Sequence, residues 1–117
     1  MLASFLSDIS DGNNIAPKRL ADRLRVPMTQ LSRLAHVNRN TMADRPNSVI
    51  VQKQLGAIAK IIARAAAMTD NEGAAIIWFK HQPIAGFGGK TAEELVEAGH
   101  ADAVMWHLES IEQGGVA

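Results

Sequence analysis

The 117-residue chain contains no cysteine. Disulfide frameworks, thiolate metal sites and cysteine nucleophiles are therefore excluded, and nothing points to an oxidising compartment. Long apolar runs are also missing: residues 65–68 and 74–79 fall far short of the ~20 residues that a membrane helix needs. No basic-then-apolar segment opens the chain, so the expectation is a cytoplasmic protein that neither spans a membrane nor is secreted. Alternation of apolar and polar residues, the mark of half-buried strands, occurs nowhere. His36, His81, His100 and His107 form no i, i+4 pair and no carboxylate–histidine signature, so no metal and no cofactor are expected. Serine, histidine and aspartate are present, but no strained nucleophile turn displays them, and the chain reads as a non-enzyme. Gly89-Lys90-Thr91 resembles the end of a phosphate-binding loop, yet Ile84 stands where the motif requires a glycine.

What the sequence does hold is enough apolar material for one modest core, 47% hydrophobic against 21% charged residues. Its formal charge of zero conceals an asymmetry. Residues 1–60 carry nine Lys or Arg against four Asp, a net of +5, whereas residues 61–117 carry three against eight acids, a net of −5. The basic half suits an anionic partner and the acidic half some other task.

Apolar residues recur at helical spacing along the whole chain. Leu2, Phe5, Leu6 and Ile9 predict an opening helix, broken by Asp11-Gly12-Asn13-Asn14. Pro17 reads as a first helical position for a second helix over 17–25, which Pro27 stops. Thr29 is the expected cap of a third helix and Asn38 of a fourth. From Ser48 the spacing of Val51, Leu55, Ile58, Ile62, Ala65 and Met68 predicts one long helix. Asp70 or Asn71 then caps a helix over 72–81 that is expected to be buried on most sides and is closed by Pro83. After a glycine-rich loop, Thr91 and Glu94 form a capping box, Gly99 stops that helix, and Val104, Leu108 and Ile111 mark the last one. The fold class is all-α: a short helix-turn-helix segment over 1–47, then a small helical region over 48–117.

Residues 29–42 place a small residue, Ala35, on one helix, then a short turn plugged by Val37, then a second helix capped by Asn38. This stretch resembles the Xre/Cro-type helix-turn-helix, in which a phrase such as Leu-Ala-x-x-Ala-Gly-Val-Ser-Arg-x-Thr-Leu recurs. His36 replaces the usual turn glycine and is expected to adopt a left-handed conformation. As a DNA-binding set, Arg39 suits a guanine edge or a phosphate, Asn40 an adenine edge or a phosphate, and Thr41 the backbone. Asn38 starts the helix that carries them, and Arg33 and Arg45 would neutralise flanking phosphates.

Further on, Trp78-Phe79-x-x-x-Pro83, then Phe87-Gly88-Gly89-Lys90-Thr91 with Glu94-Leu95-Val96, then Ile111-Glu112-x-Gly114 succeed one another. Over residues 55–117 this order resembles the toxin-binding domain of Xre/MbcA/ParS antitoxins. Departures are Phe79 and Phe87 for leucines, Ile84 for an asparagine, Ala92 for a proline, and one extra residue before the Gly-Gly pair. The resemblance implies a type II antitoxin that neutralises a cognate toxin, commonly a RES-domain enzyme that degrades NAD, and represses its own operon through operator DNA. It also implies toxin contacts at Phe87, Gly88, Gly89, Lys90, Thr91, Glu112, Gln113, Gly114 and Gly115. A homo-oligomer is expected. Trp78, Phe79 and Trp106 read as core or seam residues, and Phe87, in its glycine-rich loop, as the aromatic partner contact. The principal alternative is a stand-alone helix-turn-helix transcription regulator whose second half dimerises. A small enzyme or ligand sensor finds no site in the sequence.

Overall fold

The structure, a computed structural model, describes residues 2–114; the expected contact at Gly115 lies outside the described residues. The element order is α1 (Leu2–Ile9), β1 (Ser10–Asp11), β2 (Asn14–Ile15), α2 (Pro17–Leu24), α3 (Met28–Ala35), α4 (Arg39–Asp44), α5 (Val49–Thr69), α6 (Glu72–His81), α7 (Ala92–Glu97) and α8 (Ala101–Glu112). The fold is all-α apart from the β1–β2 hairpin, in which Ser10 pairs with Ile15 and Asp11 with Asn14. Two residues per strand are too few for any alternation to register in sequence.

The 21-residue α5 is the axis. Its N-terminus is capped by Ser48, whose hydroxyl accepts from the Val51 N–H at 3.4 Å. Nine of its side chains, among them Leu55, Ile58, Ile61 and Ile62, are buried, and α1, α3, α6 and α8 all pack on it. Small residues at Ala59, Ala63, Ala65 and Ala66 let those neighbours approach closely. One continuous apolar cluster runs from Phe5 and Leu20 through α5 to Phe79, Leu95 and Leu108, so residues on both sides of position 48 share a core.

Polar side chains of α5 fasten the N-terminal elements to it. Gln52 donates to the Ile15 and Pro46 carbonyls at 2.9 and 2.8 Å and accepts from the Ile15 N–H at 2.8 Å. Gln54 donates to the Ala35 carbonyl at 2.8 Å, satisfying one orphan acceptor at the end of α3. Arg23 of α2 bridges Asp8 of α1 at 3.0 Å and Glu72 of α6 at 3.1 Å.

Two expectations are corrected here. Thr29 does not cap α3: Pro27, with φ −70° and ψ 161°, occupies that position and Thr29 sits within the first turn. Nor is α6 buried on most sides. Ala75, Ile76 and Phe79 face the core, but Ile77 is 60% exposed, because α6 lies on the outside of the bundle with one stripe inward. Of the two proposed caps, Asn71 accepts from the Ala74 N–H at 3.0 Å, while Asp70 ends α5 in the left-handed region.

Arg25 ends α2 at φ 58° and ψ 45°, a left-handed conformation that disfavours a side chain, and its carbonyl, with that of Leu24, accepts from Lys80 Nζ. Glycine keeps that carbonyl and removes the strain. Arg25→Gly is expected to stabilise the chain by about 1 kcal/mol, read as a higher denaturation midpoint with an unchanged slope; a lower midpoint would show that the arginine side chain contributes more than the strain costs.

Candidate functional site

Two surfaces carry the residues singled out by sequence. The first is built by α3 and α4, joined by a three-residue turn. His36 in that turn is left-handed, at φ 54° and ψ 41°, as expected of the residue replacing glycine. Its Nε2 lies 3.1 Å from the Val96 carbonyl at the end of α7, a contact that helps hold the turn in place. Asn38 caps α4 by accepting from the Asn40 N–H at 2.8 Å, so its oxygen is already committed within the chain. Arg33, Asn38 and Arg39 line one open concavity of about 560 Å³ together with Ser32, His36 and Val37. The Ser32 hydroxyl is buried there and has no hydrogen-bond partner among the described residues. Asn40 is exposed on the first turn of α4, Thr41 is half-buried, and Arg45 is exposed just past the helix end.

An acidic element intrudes on this basic surface, and sequence reading missed it. Glu97 of α7 lines the same concavity. Gln30 donates to Glu93 at 3.3 Å and to Glu97 at 2.8 Å, and itself accepts from Arg33 at 3.1 Å. The two ends of this chain of contacts are more than sixty residues apart, so nothing in local spacing could announce it.

The second surface is the loop between α6 and α7. A single antiparallel bridge joins Pro83 to Thr91, and Ile84 donates to the Lys90 carbonyl at 2.9 Å, so the loop closes on itself. Gly88 and Gly89 sit at φ 65° and 81°, where a side chain would be strained, and allow the chain to double back. That reversal carries Phe87 inward. Phe87 is half-buried against the core, which corrects the view that such a loop leaves its aromatic outside. Gly88, Gly89 and Lys90 remain exposed. Thr91 and Glu94 form the expected capping box: Thr91 Oγ1 accepts from the Glu94 N–H at 3.2 Å, and the Thr91 N–H donates to Glu94 at 2.9 Å. The Thr91 N–H and, at 3.2 Å, the Thr91 hydroxyl both donate to Glu94 Oε1 and hold that carboxyl below its ordinary pKa. Thr91 is thus occupied by the helix it starts.

Glu112 pairs with Arg64 of α5 at 2.9 Å, and Glu109 approaches the same guanidinium at 3.6 Å, tying the end of α8 to α5. Gln113 and Gly114 follow, exposed. Among the described residues no hydrogen bond or ion pair joins this end to the 87–91 loop. The aromatic residues also sort differently from expectation. Phe79 is fully buried and Trp78 half-buried, but Trp106, expected in the core or at a seam, is 66% exposed on α8. Val104 and Leu108 take the inward stripe of α8, and Trp106 falls on the opposite side.

Among the described residues, no cluster of three or more potential metal ligands occurs, and no helix is long and apolar enough to cross a membrane. What these elements define is an all-α chain in which short N-terminal helices and a capped, loop-bearing three-helix unit share one core. Residues 64–114, from the second half of α5 to the end of α8, match the family described as the antitoxin Xre/MbcA/ParS C-terminal toxin-binding domain. Comparison with curated proteins and with solved structures gives no match.

The position of Phe87 has a measurable consequence. Phe87→Ala removes a half-buried ring that packs on the core, and it is expected to cost about 1–2 kcal/mol of folding stability, roughly half of what full burial of a phenylalanine contributes. Chemical denaturation measures this; an unchanged midpoint would return Phe87 to the role of a freely exposed contact.

Proposed function

We propose that this chain is the antitoxin of a type II toxin–antitoxin system: it binds and neutralises a cognate toxin, a RES-domain NAD-degrading enzyme, and represses its own operon by binding operator DNA. The observation that carries the reading is the match of residues 64–114 to the toxin-binding domain, folded as a capped helical unit on the long α5. The chain acts by binding and not by catalysis, in the cytoplasm, as a homo-oligomer. The exposed Gly88, Gly89 and Lys90 and the α8 end at Glu112, Gln113 and Gly114 contribute to the toxin-facing surface, with Gly115 following. Thr91 and Phe87 act beneath it, one as a cap and the other as packing.

The DNA-binding part rests on the basic N-terminal half and on Arg33, Asn38 and Arg39 around one concavity, with Asn40, Thr41 and Arg45 on and beyond α4. Glu97, lining the same concavity, reduces its attraction for phosphate.

Co-expression with the neighbouring gene, read as growth rescue together with cellular NAD level, tests the first part. Rescue with NAD restored is the expected outcome. Rescue without any change in NAD would keep the antitoxin and remove the RES assignment, and a neighbouring product that is neither toxic nor bound would leave the stand-alone transcription regulator. For the DNA part, Arg39→Ala with Asn40→Ala is expected to weaken binding to the upstream region at least tenfold with little change in melting temperature, because both side chains are exposed. Equal affinity of the folded double variant and wild type would take these residues out of the DNA contact.

A further inference from the structure

A toxin-binding surface needs an anchor, and the structure offers one that the sequence reading placed in the core or at a seam. Interface energy concentrates in a few residues, with tryptophan foremost, set where water can be excluded around them. Trp106 is the large aromatic side chain that α8 turns outward, at 66% exposure. Phe87 and Trp78 are half-buried, and Phe79 is inside. One helical turn to either side of Trp106 stand Asp102 and Glu109, both exposed, so the ring is flanked along the helix axis by carboxylates. Glu109 is partly answered by Arg64 at 3.6 Å, whereas the Asp102 carboxylate accepts only the Ala103 N–H, at 2.9 Å, among the described residues. All three residues lie inside the matched segment.

We propose that the outward face of α8, Trp106 between Asp102 and Glu109, is the surface that docks on the toxin, and that the toxin meets it with an apolar pocket rimmed by lysine or arginine. This rests on the antitoxin reading above and names the seat within it. Charge complementarity selects the occupant. A second copy of this chain would have to present a basic pocket, and among the described residues three concavities that hold Lys or Arg also hold acids. Arg33 and Arg39 share theirs with Glu97, Lys53 and Lys60 with Asp102 and Glu109, and Arg64 with Glu109 and Glu112. Each of these offers two carboxylates a mixed rim, with an acid beside every basic group, so a partner whose pocket is rimmed by Lys or Arg alone is the better complement to Trp106 and its flanking carboxylates.

The experiment uses the full chain and the purified product of the neighbouring gene. Titration calorimetry of Trp106→Ala is expected to show a dissociation constant raised tenfold or more, about 1.4 kcal/mol, with the melting temperature unchanged because the ring contributes little to the core. Trp106→Gln serves as a second variant should the alanine form fold poorly. Asp102→Lys is expected to weaken binding and flatten its dependence on salt. The chain has two tryptophans, so in Trp78→Phe the emission reports Trp106 alone, and it should shift to the blue when the toxin covers the ring. Wild-type affinity in both Trp106 variants, with no shift in emission, would overturn the proposal while leaving the antitoxin reading intact. Loss of self-association in Trp106→Ala with toxin affinity preserved would assign the face to a second copy and equally overturn it. Failure of the wild-type chain to bind the neighbouring product would remove the antitoxin reading first, and this seat with it.

Discussion

Everything in this fold depends on covering α5. A 21-residue helix with nine buried side chains cannot be left half-naked in water, and each neighbour it recruits is short. Helices of six to twelve residues are marginal alone, so α1, α3, α6 and α8 gain their order from the apolar surface that α5 lends them, and α2, α4 and α7 from those helices in turn. The dependence is mutual. Burying large side chains such as Leu55, Ile58, Ile61 and Ile62 contributes about 1.5–3 kcal/mol each, and without its neighbours α5 would expose them.

Around that axis, local chemistry decides where each helix begins. Ser48, Asn71, Asn38 and Thr91 all serve as N-caps, and each was readable because capping involves residues only two or three positions apart. The left-handed turn at His36 was readable for the same reason. Pro27 displaced Thr29 as a cap because its fixed φ already suits the position before a helix.

What sequence reading misplaced was decided by long-range packing. A tryptophan and a phenylalanine exchanged roles: the glycine-rich loop folded back and drew Phe87 inward, while the register of α8 gave its inward stripe to Val104 and Leu108 and left Trp106 outside. The Gln30 contacts to Glu93 and Glu97 and the Arg64 clasp on α8 link residues 48 to 67 positions apart, beyond the reach of any periodicity. The candidate site was thus legible as a list of residue types and family motifs, and the long-range contacts that occupy several of those residues were not.

The family match begins at residue 64, three quarters of the way along α5, so the helix that leads into the matched segment also carries the N-terminal elements. That continuity bears on how such chains can diversify. A gene fusion made at residue 48 or 64 would ask a foreign set of helices to fit Ile58, Ile61 and Ile62 without rehearsal, and interiors packed this closely tolerate strangers poorly. Exchange of modules by recombination is therefore disfavoured in this architecture, and point changes are accommodated more readily on the outer faces of α4 and α8, which the shared interior does not see.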